Sequence, residues 1–378
     1  MSCYRAHSVR DAVATNRPGF LGGSMSQTAS MTRVITAGLS LVVGVTLLHS
    51  GDCSAQINSS GWSSRVVKLL ASNSDEQRPV VTSLAIHPEA NLAAIAGDDH
   101  VVYVWNLAEE RFAQQLRGHR DWIRSLAYTP DGRALVSAGN DRRILLWDAN
   151  SGRQLAEVAQ LDVVVSTIAL SLDGQTLAAI GFDQTLRMID MTTGSTIREA
   201  KCPCVDMRAL AWSPSGSKLA AAGRNGKVRV WDALTGEILS EEVSHRQRIR
   251  VLRYSRDGEY LVSGSEDRTL RVTDLHTGEK FSLETGNAKV MSLQFCGPGL
   301  VASGGSDNLI RLWDLKQRKE ITQLAGHTGS VAALAYEGEV LVSSGYDATV
   351  RIWTRNSNVA GGDRNTEPRV GRLPSISR

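Results

Sequence analysis

No excess of one charge sign marks this chain of 378 residues: 42 Lys and Arg stand against 39 Asp and Glu, a formal charge of +3. That balance gives no reason to expect nucleic acid as a partner, because phosphate binding needs a concentrated basic surface. Cysteine is scarce. Cys3, Cys53, Cys202, Cys204 and Cys296 are too few and too scattered for a disulfide scaffold. Proline is scarce too, with 9 residues against 34 glycines. Apolar residues at 42% and charged residues at 21% are ordinary globular usage, which excludes wholesale disorder, collagen and a polytopic membrane protein. The apolar, uncharged run Val34–Leu48 has fifteen residues. As a helix it reaches roughly 22 Å, short of the roughly 30 Å hydrocarbon core of a bilayer, so no stable span is expected.

Residues 1–55 differ from the rest and read as a targeting segment. Arg33 supplies a basic n-region, Val34–Leu48 an apolar h-region, and Cys53-Ser54-Ala55 a small-x-small cleavage motif before Gln56. Met25 or Met31 suits the start of such a signal better than Met1. The expectation is export, to a periplasm or to the medium. The alternatives are an uncleaved membrane anchor, an Arg- and Ser-rich transit peptide, or a cytoplasmic protein. A lipid anchor on Cys53 is disfavoured because Asp52 stands where a small residue is needed.

A repeat of about forty residues organises the rest of the chain. Trp105, Trp147, Ile189, Trp231, Thr273, Trp313 and Trp353 occupy one recurring position, spaced by 42 residues four times and then by 40 twice. Six residues earlier stands Asp99, Asp141, Asp183, Asn225, Asp267, Asp307 or Asp347. An alternating apolar segment ends near Leu84, Leu126, Ile168, Leu210, Leu252, Leu293 or Leu334, and turn signals such as Pro130-Asp131-Gly132 and Asp257-Gly258 lie between. Short β-branched runs punctuated by Gly, Asp and Pro every eight to twelve residues read as antiparallel strands. No stretch sustains a helical period.

With the openings Gly118-His119 and Gly326-His327, the aspartate at a fixed offset and the Trp-Asp ending, residues 62–358 resemble a seven-bladed Trp-Asp (WD) repeat β-propeller. The resemblance implies an all-β fold of seven four-stranded antiparallel blades. Each blade buries both faces against neighbours, and closing the ring limits exposed edges. The last repeat lacks its outer strand. Ser64–Leu70 has strand character and is expected to supply it, with 56–63 a linker, 64–358 the propeller and 359–378 a disordered tail. The alternative is that residues 56–78 form a disordered linker.

The family resemblance also implies a hydrogen-bond chain inside each blade. Blade two carries His119, Ser137, Asp141 and Trp147; blade seven carries His327, Ser343, Asp347 and Trp353; blade five carries His245, Ser263 and Asp267, with Thr273 in place of Trp. A Ser-His-Asp set invites a hydrolase reading. Its recurrence at the repeat period favours a structural role, since an active site would be unique. Gln77, Leu161, Pro203 and Gly286 stand at the His position of blades one, three, four and six, so those chains are expected to be incomplete. Cys202-Pro203-Cys204 has the wrong spacing for redox chemistry and no second pair for zinc. No metal or other cofactor is expected.

Propellers of this family bind partners on the narrow top face, formed by the starts of the inner strands and the residue before the repeat aspartate. Among those columns Trp122, Phe182 and Tyr346 are aromatic, while Arg124, Arg208, Arg224, Arg248, Arg250 and Lys289 are basic. Aromatics and arginine dominate binding hot spots. The reading is a non-catalytic scaffold, a monomer or a member of a hetero-complex, that captures a protein or acidic peptide. Against it stands a solvated rim in which Asp206 and Glu266 act as local counter-ions. The rival function is a propeller enzyme, lactonase-like or quinoprotein-like, which needs Asp, Glu, Asn or His converging in the channel.

Overall fold

Segments such as Val101–Asn106 and Arg143–Asp148, rich in Val, Ile, Leu and aromatics, suit a pleated surface covered on both faces. In the computed structural model, which describes residues 56–57, 62–68, 79–204 and 206–355, they are the third strands of four-stranded antiparallel sheets. There are six such sheets and a seventh with one short extra strand, and each contacts the next through its inner strand until the last meets the first. The inner strands are Val81–Ile86, Ile123–Tyr128, Val165–Leu170, Met207–Trp212, Ile249–Tyr254, Val290–Gly297 and Val331–Glu337. The chain is a seven-bladed all-β propeller.

Burial falls off outward. Second strands such as Ala134–Gly139 are buried at every residue, whereas the outer strand Ile238–Val243 of blade four is exposed at every residue. The second strands are built from small residues, Ala93, Ala94 and Ala96 in blade one and Ala220 to Ala222 in blade four. Blades converge toward the axis, which favours small side chains beside the larger Ile95, Leu135 and Leu219 of the same strands. The largest ones, Trp147, Trp231 and Trp353, fill the wider space between third strands and are fully buried.

Blade seven is completed from the other end of the described chain. Trp62–Lys68 pairs antiparallel with Thr349–Arg355 without a register break, from Trp62↔Arg355 to Lys68↔Thr349, and Gln56–Ile57 adds a short fifth strand. The closing strand thus begins at Trp62, two residues before the expected Ser64, and part of the expected linker is strand. The reason is packing: Trp62 joins the core cluster of blades six and seven, and Val67 joins that of blades seven and one. Arg65 also pairs with Glu110 of blade one. Leu69 and Leu70, the targeting segment 1–55 and the tail beyond Arg355 lie outside the described residues.

The hydrogen-bond chains form in direction as well as in composition. In blade two the Trp147 indole N–H donates to Ser137 Oγ at 2.8 Å, Ser137 Oγ lies 2.7 Å from His119 Nε2, and His119 Nδ1 lies 2.8 Å from Asp141. Because the carboxylate can only accept, Nδ1 carries the proton and the serine hydroxyl donates to Nε2. Blade seven repeats this through Trp353, Ser343, His327 and Asp347. Ser137 and Ser343 are sealed beneath the indole, which leaves no room for a substrate and makes the sets structural.

Blades without the histidine lack the full chain, as expected, yet in blades one, three and six the aspartate still has a partner. A side chain four residues after the aspartate takes over: Tyr103 Oη donates to Asp99 at 2.6 Å, Arg187 to Asp183 at 2.7 Å and Arg311 to Asp307 at 2.6 Å. Blade four has Asn225 instead of Asp, and its Arg229 turns to Glu241 at 2.5 Å. Blade one keeps a defect at the tryptophan: Ile95 occupies the serine position, and the buried Trp105 Nε1 has no acceptor among the described residues.

These contacts set three expected outcomes. Trp62→Ala should lower unfolding stability by about 3–5 kcal/mol, read by chemical denaturation; a loss near zero would mean that the strand does not close the ring. Asp141→Ala strands the His119 Nδ1–H and Arg120 N–H donors. It should cost about 1–3 kcal/mol, the penalty for the buried His119 donor left unsatisfied, since the exposed Arg120 N–H can turn to water. The third concerns pH. Burial alone would raise the carboxyls of Asp141, Asp267 and Asp347, but hydrogen bonds from histidine, threonine and backbone N–H groups outweigh it and hold all three below the usual range. Burial lowers His245, against the opposing pull of Asp267. In every case the unfolded chain binds the proton more readily, so these contributions are present at neutral pH. Stability should begin to fall below about pH 6.5 and fall faster below about pH 4. A stability profile that stays flat from neutral pH to about pH 4.5 would rule out the His245 contribution.

Candidate functional site

The inner strand of every blade carries a break in register near its start, at Thr82, Arg124, Ser166, Arg208, Arg250, Met291 and Ala332, and blade six has a second at Cys296. A bulge leaves its extra residue unpaired and re-aims its side chain. Here all seven point into the central channel, a cavity of 230 Å³ that Tyr346 also lines. Opposite the bulge stands a glycine in most blades. A Cβ on Gly97, Gly139, Gly181 or Gly223 would collide with the backbone carbonyl of Val80, Trp122, Val164 or Asp206. Hydroxyls stitch neighbouring inner strands where they diverge: Thr82 donates to the Ile123 carbonyl at 2.6 Å and Ser166 to that of Met207 at 2.7 Å.

Three of the seven bulge positions are arginine, and their surroundings differ. Arg208 pairs with Asp206 at 2.6 Å; Arg248 bridges Asp206 at 2.7 Å and Glu266 at 3.1 Å; Arg250 pairs with Glu266 at 2.7 Å, and Lys289 lies 3.8 Å from it. Most of the basic cluster therefore has its counter-ions in place, as the solvated-rim alternative required. Glu266 shows it: burial alone would raise its carboxyl, yet Arg250 and Arg248 hold it below the usual range. Arg224 stands apart, exposed, and makes no ion pair among the described residues.

Arg124 is the exception at the mouth. Its Nε donates to the neutral Asn140 Oδ1 at 2.7 Å, and no carboxylate lies within ion-pair distance among the described residues. Burial and then the charge of Arg208 push its pKa down, against the weaker pull of Tyr346, Asp121 and Asp206. Aromatic rings frame it. Its guanidinium lies 5.4 Å from the Trp122 ring and 6.0 Å from that of Phe182, and Arg208 lies 4.6 Å from Phe182. Trp122 is 40% exposed and Tyr346 48%. Of the expected top-face residues, the fold gathers Trp122, Arg124, Phe182, Arg208, Arg250 and Tyr346 at the channel mouth. It places Arg248 and Lys289 beside them and leaves Arg224 outside.

One channel residue escaped the sequence reading. Three positions after the bulge the column reads Ala85, Ala127, Ala169, Ala211, Arg253, Gln294 and Ala335. Arginine in a column of alanines was the available signal. Arg253 lines the channel deeper than the mouth, donating to the Leu252 carbonyl at 2.9 Å and to Gln294 Oε1 at 3.4 Å. Other chemistry is thin. Cys202 and Cys204 are buried free thiols, and burial pushes Cys202 up to about 11, away from reactive thiolate character. Among the described residues no cluster of His, Cys, Asp or Glu is placed to hold a metal, and no helix is long and apolar enough to cross a membrane.

Comparison with known proteins agrees with this architecture. The chain is 40% identical over 68 residues to mitochondrial division protein 1 of Mycosarcoma maydis, 18% of this chain and 8% of that protein. It is 46% identical over 54 residues to cell division control protein 4 of Saccharomyces cerevisiae, 14% and 7%. It is 37% identical over 70 residues to the WD repeat-containing protein 26 homolog of Drosophila melanogaster, 18% and 11%. Each match spans only a small part of the relative's length. The profile of the family described as WD domain, G-beta repeat matches residues 66–106, 110–148, 195–232, 236–274, 279–314 and 318–354. It passes over blade three, where Ile189 replaces the tryptophan, although Val165–Leu170 to Thr196–Lys201 form a complete sheet there. With more than half of its residues matched, the chain belongs to the WD domain, G-beta repeat family.

Proposed function

We propose that this chain is a non-catalytic interaction scaffold whose channel-mouth face captures a protein partner through an acidic segment. One observation carries the reading: Arg124 is half-buried, framed by Trp122 and Phe182 in a channel mouth that Tyr346 also lines, and makes no ion pair with a carboxylate among the described residues. A partner carboxylate would pair with it beside aromatic anchors, the combination found at hot spots. Asp206 and Glu266 already satisfy Arg208, Arg248 and Arg250, so those residues set the field around the mouth rather than meet the partner directly. The seven bulge positions carry no carboxylate and no histidine, the groups that a channel enzyme would need.

Export completes the proposal. A chain cut before Gln56 keeps the whole closing strand Trp62–Lys68, so removal of residues 1–55 is compatible with the ring. N-terminal sequencing of the native protein should find Gln56 first in the exported fraction; an unprocessed start in the soluble cytoplasm would overturn it.

The partner reading is tested with a fluorescent Glu- and Asp-rich peptide, followed by anisotropy. Arg124→Glu should weaken binding by at least about tenfold, the loss of one charge-assisted pair. Arg224→Glu, outside the mouth, should change it little. Equal effects of the two variants would reduce the binding to diffuse charge attraction and defeat the proposal.

A further inference from the structure

In blades two, six and seven an indole N–H caps a serine: Trp147 on Ser137, Trp313 on Ser303 and Trp353 on Ser343, each at 2.8 Å. Blade five has the serine but not the indole. Ser263 Oγ lies 2.7 Å from His245 Nε2, His245 Nδ1 lies 3.0 Å from Asp267, and Thr273 occupies the tryptophan position. The serine's acceptor capacity is therefore unused. A cavity of 650 Å³ opens over it between blades four and five, with Val228, Val230, Leu252 and Leu261 as its apolar wall. That volume falls in the range of small-molecule sites.

Two other departures from the repeat, and an arginine left without the partner its column has elsewhere, meet in the same cavity. Ser244 stands where Gly118 stands in blade two, and a Cβ on Gly118 would lie 2.8 Å from the Trp147 ring. Serine at that position goes with the missing indole. Glu242 replaces the apolar residue that other outer strands bury, Leu116, Val158 or Leu324, and pairs with Lys280 at 2.5 Å. Arg271 stands in the column whose arginines in blades three and six bind the repeat aspartate. In blade five His245 and Thr269 already occupy Asp267. Arg271 is left exposed on the cavity wall with no ion-pair partner among the described residues.

We propose that this cavity is a ligand site for a planar aromatic group bearing an N–H donor, an indole, with an acidic substituent. The ring fills the place of the missing tryptophan, its N–H donates to Ser263 Oγ, and the acid pairs with Arg271. The occupant is inferred from the indoles that fill the equivalent space in the sister blades.

Indole-3-acetate is the probe, with titration calorimetry and thermal unfolding as readouts on the full chain. Saturable binding with a rise in Tm is expected at millimolar concentration. Naphthalene-1-acetate, which lacks the N–H, should bind about fivefold more weakly, and indole without the acid about tenfold more weakly. The double variant Ser244→Gly with Thr273→Trp installs the missing indole, so it should raise Tm and abolish binding. Arg271→Gln changes an exposed residue with no ion pair among the described residues, so it should keep the fold and weaken indole-3-acetate about tenfold without affecting indole. It decides the matter alone should the double variant fail to fold. Absence of saturable binding, or binding that Arg271→Gln leaves unchanged, overturns the proposal.

Discussion

A four-stranded blade has two apolar faces, and a neighbour on each side is the arrangement that covers both. Every other feature of this molecule depends on that need being met all the way round. Six blades are continuous in sequence and need no help. The seventh requires Trp62–Lys68 to cross from the beginning of the repeat region to its end and pair with Thr349–Arg355. The strand does more than add hydrogen bonds. Trp62 reaches the core on one side and Val67 the core on the other, so a single segment seals two interblade spaces. Ring closure also removes the edge that Thr349–Arg355 would otherwise present to other chains.

Convergence on the axis then creates the candidate site. Seven inner strands cannot all continue as regular ladders where they meet. Each carries a bulge, and the bulges turn one side chain per blade into the channel. The residue at that position is free of core duties, which is why it varies from Thr82 to Arg250 while its neighbours Val81, Ile123 and Ile249 stay apolar and buried. Function can change at these positions without disturbing the blades.

The polar chains inside the blades show how a repeat fold tolerates drift. A buried carboxylate must be satisfied, but the chain does not insist on which donor does it. Histidine serves in three blades, and a tyrosine or arginine four residues along serves in three others. Where the aspartate itself is lost, at Asn225, the freed Arg229 finds Glu241. Blade five drifted in another direction. It kept its histidine and serine and lost its tryptophan, so a polar group built to be covered now faces a cavity.

The sequence alone determined the strand-rich character, the repeat count and the origin of the closing strand, because those arise from periodicity: a recurring Trp-Asp ending, turns at regular offsets and a last unit one strand short; the ring of blades was what the family resemblance implied. That resemblance also marked which columns face the channel mouth. Tertiary structure alone decided which charges there are free. Arg124, Arg208 and Arg250 share one column in the sequence, yet Asp206 and Glu266 reach only the last two, and that depends on side-chain distances across blades. The substitute donors Tyr103, Arg187 and Arg311 were visible as residues but not as partners, since a spacing of four meets its target only once the turn has folded back. The strand's true start at Trp62 was hidden for the same reason. A strand end is set by what its last side chain packs against, and that neighbour, blade six, lies far away in sequence.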